Sequence, residues 1–149
     1  MDVVELLAEI EPRLRAGLVA AYGPDDGTEA AAEAMAWAWE HRDRIVELDN
    51  PAGYLFRVGQ TAVRRGRRTH RWLPPAPDVE LPDVEPRLFD AIDELTEQQR
   101  VSVLLVHALG WRQVDVAELL AVSPSTIAAH LRAGMRRLRH ALEVTFDEV

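Results

Sequence analysis

The sequence predicts an all-α chain built as two small helical domains, the second a helix-turn-helix, and three observations carry that prediction. Alanine, leucine, glutamate and arginine are abundant while β-branched and aromatic runs are scarce, aromatics making up 6% of the chain, a composition that favours helix over strand. Apolar residues recur at helical spacing in several separate segments. Five of the nine prolines crowd between Pro74 and Pro86, in a stretch (PPAPDVELPDVEP) without helical period, which reads as an extended acidic linker. The domains are therefore placed at residues 1–70 and 87–149, with the linker at 71–86.

In the first domain a helix is expected around residues 2–22, with a break near Pro12, and a second around 28–41. Ala31, Met35, Ala38 and Trp39 make the inward stripe of that second helix. The third starts at Asn50-Pro51 and runs to about Arg68. Asn at the N-cap followed by Pro at the first helical position is a sound start, because proline lacks only an N–H that would be orphaned there. Leu55, Val58 and Ala62 form its apolar stripe, with Arg57, Arg64 and Arg68 on roughly the opposite face.

The second domain opens on Thr96-x-x-Gln99, a capping-box pattern, ahead of Val101, Leu104, Leu105 and Ala108 at helical spacing, and Gly110 supplies the stop. Gln113 to Leu120 then makes a short helix with Val116, Ala117 and Leu120 inward. Ala121-Val122 turns, and Ser123-Pro124 opens a long helix striped by Ile127, Leu131, Met135, Leu138 and Leu142.

Charge is distributed unevenly. The net charge is -8, yet residues 51–76 carry six arginines and no acid, and residues 100–142 carry six arginines against two acids. Two basic islands thus lie in an acidic protein, the pattern of surfaces that meet polyanions. On the long helix, Ser125, Thr126, Ala129 and His130 occupy the face left free in its first turns, where a recognition helix would enter the major groove. Arg132, Arg136, Arg137 and Arg139 lie further along, placed for phosphates. A helical hairpin with a solvated basic face would show the same pattern.

Several function classes are excluded. Without cysteine there is no disulfide, thiolate chemistry or thiolate-bound zinc. The five histidines show no metal-ligand spacing, and no phosphate-cradling glycine loop or recognisable nucleophile motif occurs, so neither catalysis nor a metal or other cofactor is expected. No signal peptide or membrane-spanning segment is expected, which makes the cytoplasm the default location.

The segment LFDAIDELTEQQRVSVLLVHALGWRQVDVAELLAVSPSTIAAHLRAGMRRLRHALE resembles the C-terminal, region-four domain of extracytoplasmic-function sigma factors. GTEAAAEAMAWAWEHRDRI and then DNPAGYLFRVGQTAVRRGRR are similar to the region-two polymerase-binding and minus-ten segments of the same family, in the same order. The resemblance implies a non-enzymatic sigma factor whose partners are core RNA polymerase, promoter DNA and an anti-sigma protein. It implies upstream-element contacts from Ser125, Thr126, Ala129, His130, Arg132 and Arg136. Downstream it implies strand capture by Asn50, Tyr54 and Arg57, with Arg64, Arg65, Arg67 and Arg68 on phosphates. Glu29, Glu33, Trp37 and Glu40 become the polymerase-binding face, and the linker the segment that threads the polymerase cleft, although a plain tether has the same composition.

The chain departs from the family pattern at Ala32, where glutamine is usual, at Gly59-Gln60-Thr61 for Ala-Arg-Asn, and at Arg65, where aspartate is common. Ala121 stands at the usual turn glycine, and Thr126-Ile127-Ala128-Ala129-His130 replaces Thr-Val-Lys-Ser-Arg. These departures keep a second reading open: a sigma-like regulator or interaction protein that binds DNA or a partner without supporting promoter opening.

Overall fold

A computed structural model describes residues 2–66 and 87–146, with side chains through Glu143, and every element among them is helical. The order is α1 (Val3–Tyr22), α2 (Pro24–Glu40), α3 (Arg42–Ile45) and α4 (Pro51–Gly66), then α5 (Leu88–Glu94), α6 (Glu97–Val103), a π-turn (Leu104–Ala108), α7 (Gln113–Leu120) and α8 (Pro124–Phe146). The expected linker, and with it Arg67 and Arg68, lies outside the described residues. Among the described residues no single helix is long and apolar enough to cross a membrane.

α1 is capped by Asp2, whose carboxylate accepts the Glu5 N–H at 2.9 Å. Contrary to the expected break, α1 continues unbroken through Pro12. Pro12 and Ala8, whose carbonyl the missing N–H would have met, are both exposed, so water can take that acceptor. α2 begins earlier than expected, at Pro24, where a proline in the first helical position costs no hydrogen bond. Asp25 and Asp26 fall in its first turn, on the positive end of the helix dipole.

The inward face of α2 is nearly all alanine, with Ala30, Ala31, Ala34 and Ala38 buried. Small residues let α2 approach α1 closely: a Cβ on Gly27 would collide with the Val19 backbone. Trp39, expected on that stripe, is instead 50% exposed, and the Arg42 guanidinium lies over its ring. Ala38 is the stripe residue, and Trp39, one position on, is turned about 100° away from it.

Leu14 and Leu18 of α1, Ile45 of α3, and Leu55 and Phe56 of α4 fill the centre of the first half. The α4 stripe is wider than expected: Phe56, Gly59 and Val63 are buried beside Leu55, while Val58 and Ala62 are half-buried.

In the second half the Thr96 capping box forms as predicted. Gln99 N–H donates to Thr96 Oγ1 at 3.2 Å and Thr96 N–H to Gln99 Oε1 at 3.3 Å. Val101 and Leu105 are buried, but Ala108 is exposed, because the π-turn inserts an extra residue and rotates the positions beyond it. Gly110 then leaves the helix with φ +73°. α8 buries Ile127, Leu131 and Leu138, with Met135 and Leu142 half-buried. It lies so close to α6 that a Cβ on Gly134 would sit 2.8 Å from Val103 Cγ2.

The two halves also pack on each other. α1 lies against α6 and the π-turn, and α4 lies against α7.

Candidate nucleic-acid interface

The helix-turn-helix is built from α7, a three-residue connection and α8. Val122 N–H donates to Ala117 C=O at 3.0 Å and Ala121 N–H to Glu118 C=O at 3.2 Å, the paired bonds of a Schellman ending. Ala121 sits in the left-handed region with φ 56° and ψ 44°, and among the described residues it is the one non-glycine with positive φ. Ser123 caps α8: Thr126 N–H donates to Ser123 Oγ at 3.2 Å. The same Oγ lies 2.9 Å from Ser125 Oγ and 2.8 Å from Thr126 Oγ1. The hydroxyls expected to meet DNA thus form a cap network first, which fixes their positions at the tip of α8.

Ala129, Arg132 and Arg136 are exposed as predicted, whereas His130 is half-buried and its Nε2 is enclosed without a hydrogen-bond partner. His130 therefore belongs to the edge of the interface more than to its free face. Arg137 departs further from expectation. It donates to the Glu94 carbonyl at 2.9 Å and to Gln99 Oε1 at 3.1 Å, tying α8 to the α5–α6 junction.

A groove of about 710 Å³ runs beside α8, floored by Leu131 and Met135 and rimmed by Arg132, Arg136, Arg139, His107 and His140. Sequence reasoning misses His107 and His140; their only signal there is position, His140 one helical turn beyond Arg136. Ala128 lines the same groove.

At the other basic island, Asn50 caps α4 through its side chain, Oδ1 accepting Gly53 N–H at 3.0 Å. Its Nδ2 donates at 2.7 Å to the Glu118 carbonyl of α7, a residue 68 positions away. Tyr54 packs against Trp37, ring centroids 5.3 Å apart, and Trp37 stacks on His41 at 4.2 Å with Arg44 over its ring at 5.7 Å. His41 Nδ1 donates to the Trp37 carbonyl at 2.9 Å, which holds the stack. Trp37 and Tyr54, predicted for two different partners, are thus one aromatic unit joining α2 to α4.

Arg57, Arg64 and Arg65 are exposed. Arg64 pairs with Glu97 at 3.4 Å and Arg65 with Glu33 at 3.3 Å. Such exposed pairs contribute little and are screened by salt, so phosphates can replace the carboxylates. Glu29, Glu33 and Glu40 are exposed along α2. Glu29 and Glu33, with Asp26, line a cleft of about 130 Å³ between α2 and the end of α4. Among the described residues no three His, Asp or Glu side chains are grouped to hold a metal ion.

Residues 87–138 match the family model described as Sigma-70, region 4, a stretch that runs from the start of α5 well into α8. The fold is similar to a solved structure, the sigma factor RpoE in complex with the anti-sigma factor NepR from Bartonella quintana. That match has a TM-score of 0.61 and 20% sequence identity, and covers 94% of this chain and 96% of the other. No curated protein sequence matches the chain.

Proposed function

We infer that this chain is a sigma factor of the extracytoplasmic-function type, which directs RNA polymerase to specific promoters by binding and without catalysis. The observation that carries the inference is the region-four match over residues 87–138, because it falls on the helices that form the helix-turn-helix and present Arg132 and Arg136. Residues 87–149 form the upstream-element domain and residues 1–70 the domain for polymerase and the minus-ten element.

In this reading the tip of α8 enters the major groove at the minus-thirty-five element. Ser125, Thr126 and Ala129 face base edges, and His130 flanks them. Arg132, Arg136 and Arg139 meet phosphates, giving affinity without sequence information. Arg137 is a structural tie. At the downstream element Asn50, Tyr54 and Arg57 meet the non-template strand, with Arg64, Arg65, Arg67 and Arg68 along its backbone. Glu29, Glu33 and Glu40, with Trp37 at their edge, dock on core polymerase. An anti-sigma protein as third partner is supported by the likeness to a sigma factor solved with one.

The test is run-off transcription on sheared genomic DNA with core polymerase, with and without the chain. Discrete new start sites are expected. Binding to polymerase or DNA without any start site would move the chain to the sigma-like regulators and single out Ala32, Thr61 and Ala128 as the departures responsible.

A further inference from the structure

We propose that the groove beside α8 is a proton-linked site for a nucleic-acid backbone, in which His107 and His140 join the arginine row and tighten the grip on phosphates as the pH falls. The proposal rests on the sigma-factor reading above and adds to it a regulation of the same surface by acidity.

Arg132, Arg136 and His140 stand four residues apart along α8, so they share one face of the helix at intervals of about 6 Å. All three are exposed. His107, exposed as well, borders the same groove from a second element, the π-turn. Leu131 and Met135 at the floor offer apolar surface to the sugars that lie between phosphates.

Around the two rings α8 supplies Arg132, Arg136, Arg139 and Glu143, and α7 supplies the neutral Gln113. His140 also borders a second cleft, with Glu94 of α5 and Arg137. Three guanidiniums and one carboxylate leave the groove with a net of two positive charges, and protonating both imidazoles doubles it. Imidazole is the side chain whose charge changes between about pH 5 and 8. In the free chain the guanidiniums oppose a proton on either ring, while Glu94 and Glu143 favour one on His140. Phosphates laid along the row neutralise the guanidiniums and attract the protonated rings, so DNA favours the proton. Reciprocity then requires that the proton favour DNA by the same factor.

Counterion release sets the size of the effect. Each phosphate contact adds a slope of about 0.9 to log affinity against log salt, or roughly eightfold at about 0.1 M salt. Two added contacts bring up to about sixtyfold and steepen the slope by about two.

In the test the full chain is titrated into a fluorescent mixed-sequence duplex of about 20 base pairs, at about pH 8 and about pH 6 and over a range of salt. Parent affinity should rise at least about tenfold at the lower pH, with a salt slope steeper by about one to two. His107→Gln with His140→Gln, at exposed positions, should hold that rise below about twofold, although His41, His70 and His130 remain. His107→Lys with His140→Lys makes both charges permanent and should bind at about pH 8 as tightly as the parent at about pH 6. Urea unfolding verifies that both variants keep the parent's midpoint. A parent that does not bind or whose affinity is flat with pH, a glutamine variant that keeps the rise, or a lysine variant without gain at the higher pH would overturn the proposal. A rise seen with an oligoglutamate peptide and not with the duplex would overturn it too, assigning the groove to an acidic protein partner. Failure of the sigma-factor reading would show separately, as silence in run-off transcription, whatever the pH dependence of duplex binding.

Discussion

Replacing Ala121 by glycine tests the turn on which the helix-turn-helix depends. Ala121 is held at φ 56° and ψ 44° by the two backbone bonds that close α7. An alanine in that region costs about 1–2 kcal/mol, because its Cβ crowds the next carbonyl. Glycine removes this cost but gains freedom in the unfolded chain, which offsets about 0.4–1 kcal/mol. The methyl group is exposed, so its loss leaves no cavity. The net expectation for Ala121→Gly is stabilisation by about 0.5–1 kcal/mol, a rise in Tm of roughly 1–4 °C for a chain of this size. Urea unfolding monitored by circular dichroism should show a higher midpoint with an unchanged slope. Ala121→Val, which forces a β-branched side chain into the same conformation, should destabilise by more than about 1 kcal/mol. A destabilised glycine variant, or a valine variant as stable as the parent, would refute the left-handed turn and with it the placement of α8.

Arg132→Ala with Arg136→Ala should weaken DNA binding and lower the slope of log affinity against log salt by roughly two. Arg137→Ala should leave that slope unchanged and instead cost about 0.5–1.5 kcal/mol in urea unfolding, through loss of its bonds to Glu94 and Gln99. Gly27→Ala should destabilise by about 1–3 kcal/mol, since its methyl group would press on the Val19 backbone; an unchanged urea midpoint would contradict the close crossing of α1 and α2. Burial first, and then the neighbouring Glu97 carboxylate, push the Tyr22 hydroxyl well above its usual range. The unfolded chain then ionises before the folded one, so the stability held by neutral Tyr22 is complete below about pH 10 and is lost as the pH rises further. Tyr22→Phe should flatten that alkaline limb in unfolding midpoints measured from about pH 8 to 11.

Local signals are legible in the sequence and long-range ones are not. The Thr96 capping box, the Asn50-Pro51 start and the apolar stripe of α8 depend on residues a few positions apart, and each forms where the spacing puts it. The break expected at Pro12 does not occur: Pro12 and Ala8 lie on the exposed side, where water can take the freed carbonyl, and which side that is cannot be read from the proline alone. Trp37 and Trp39 cannot be told apart until Tyr54 of α4 is in place to receive one of them. Arg137 carries the same sequence signal as its neighbours Arg136 and Arg139, and only the path of the α5–α6 junction distinguishes it. The packing of the two halves on each other leaves no trace in sequence: the Asn50 to Glu118 bond joins residues 68 apart, and nothing in either local pattern asks for the other.

The π-turn at Leu104–Ala108 carries one more residue than an α-helical turn would hold. Such turns are how a helix absorbs a single inserted residue without unravelling. Removing one residue there would restore an unbroken α-helix with the turns on either side close to their present register. This one loosened turn is therefore a slack point, the place where a change of a single codon in length can be taken up without re-aiming α8.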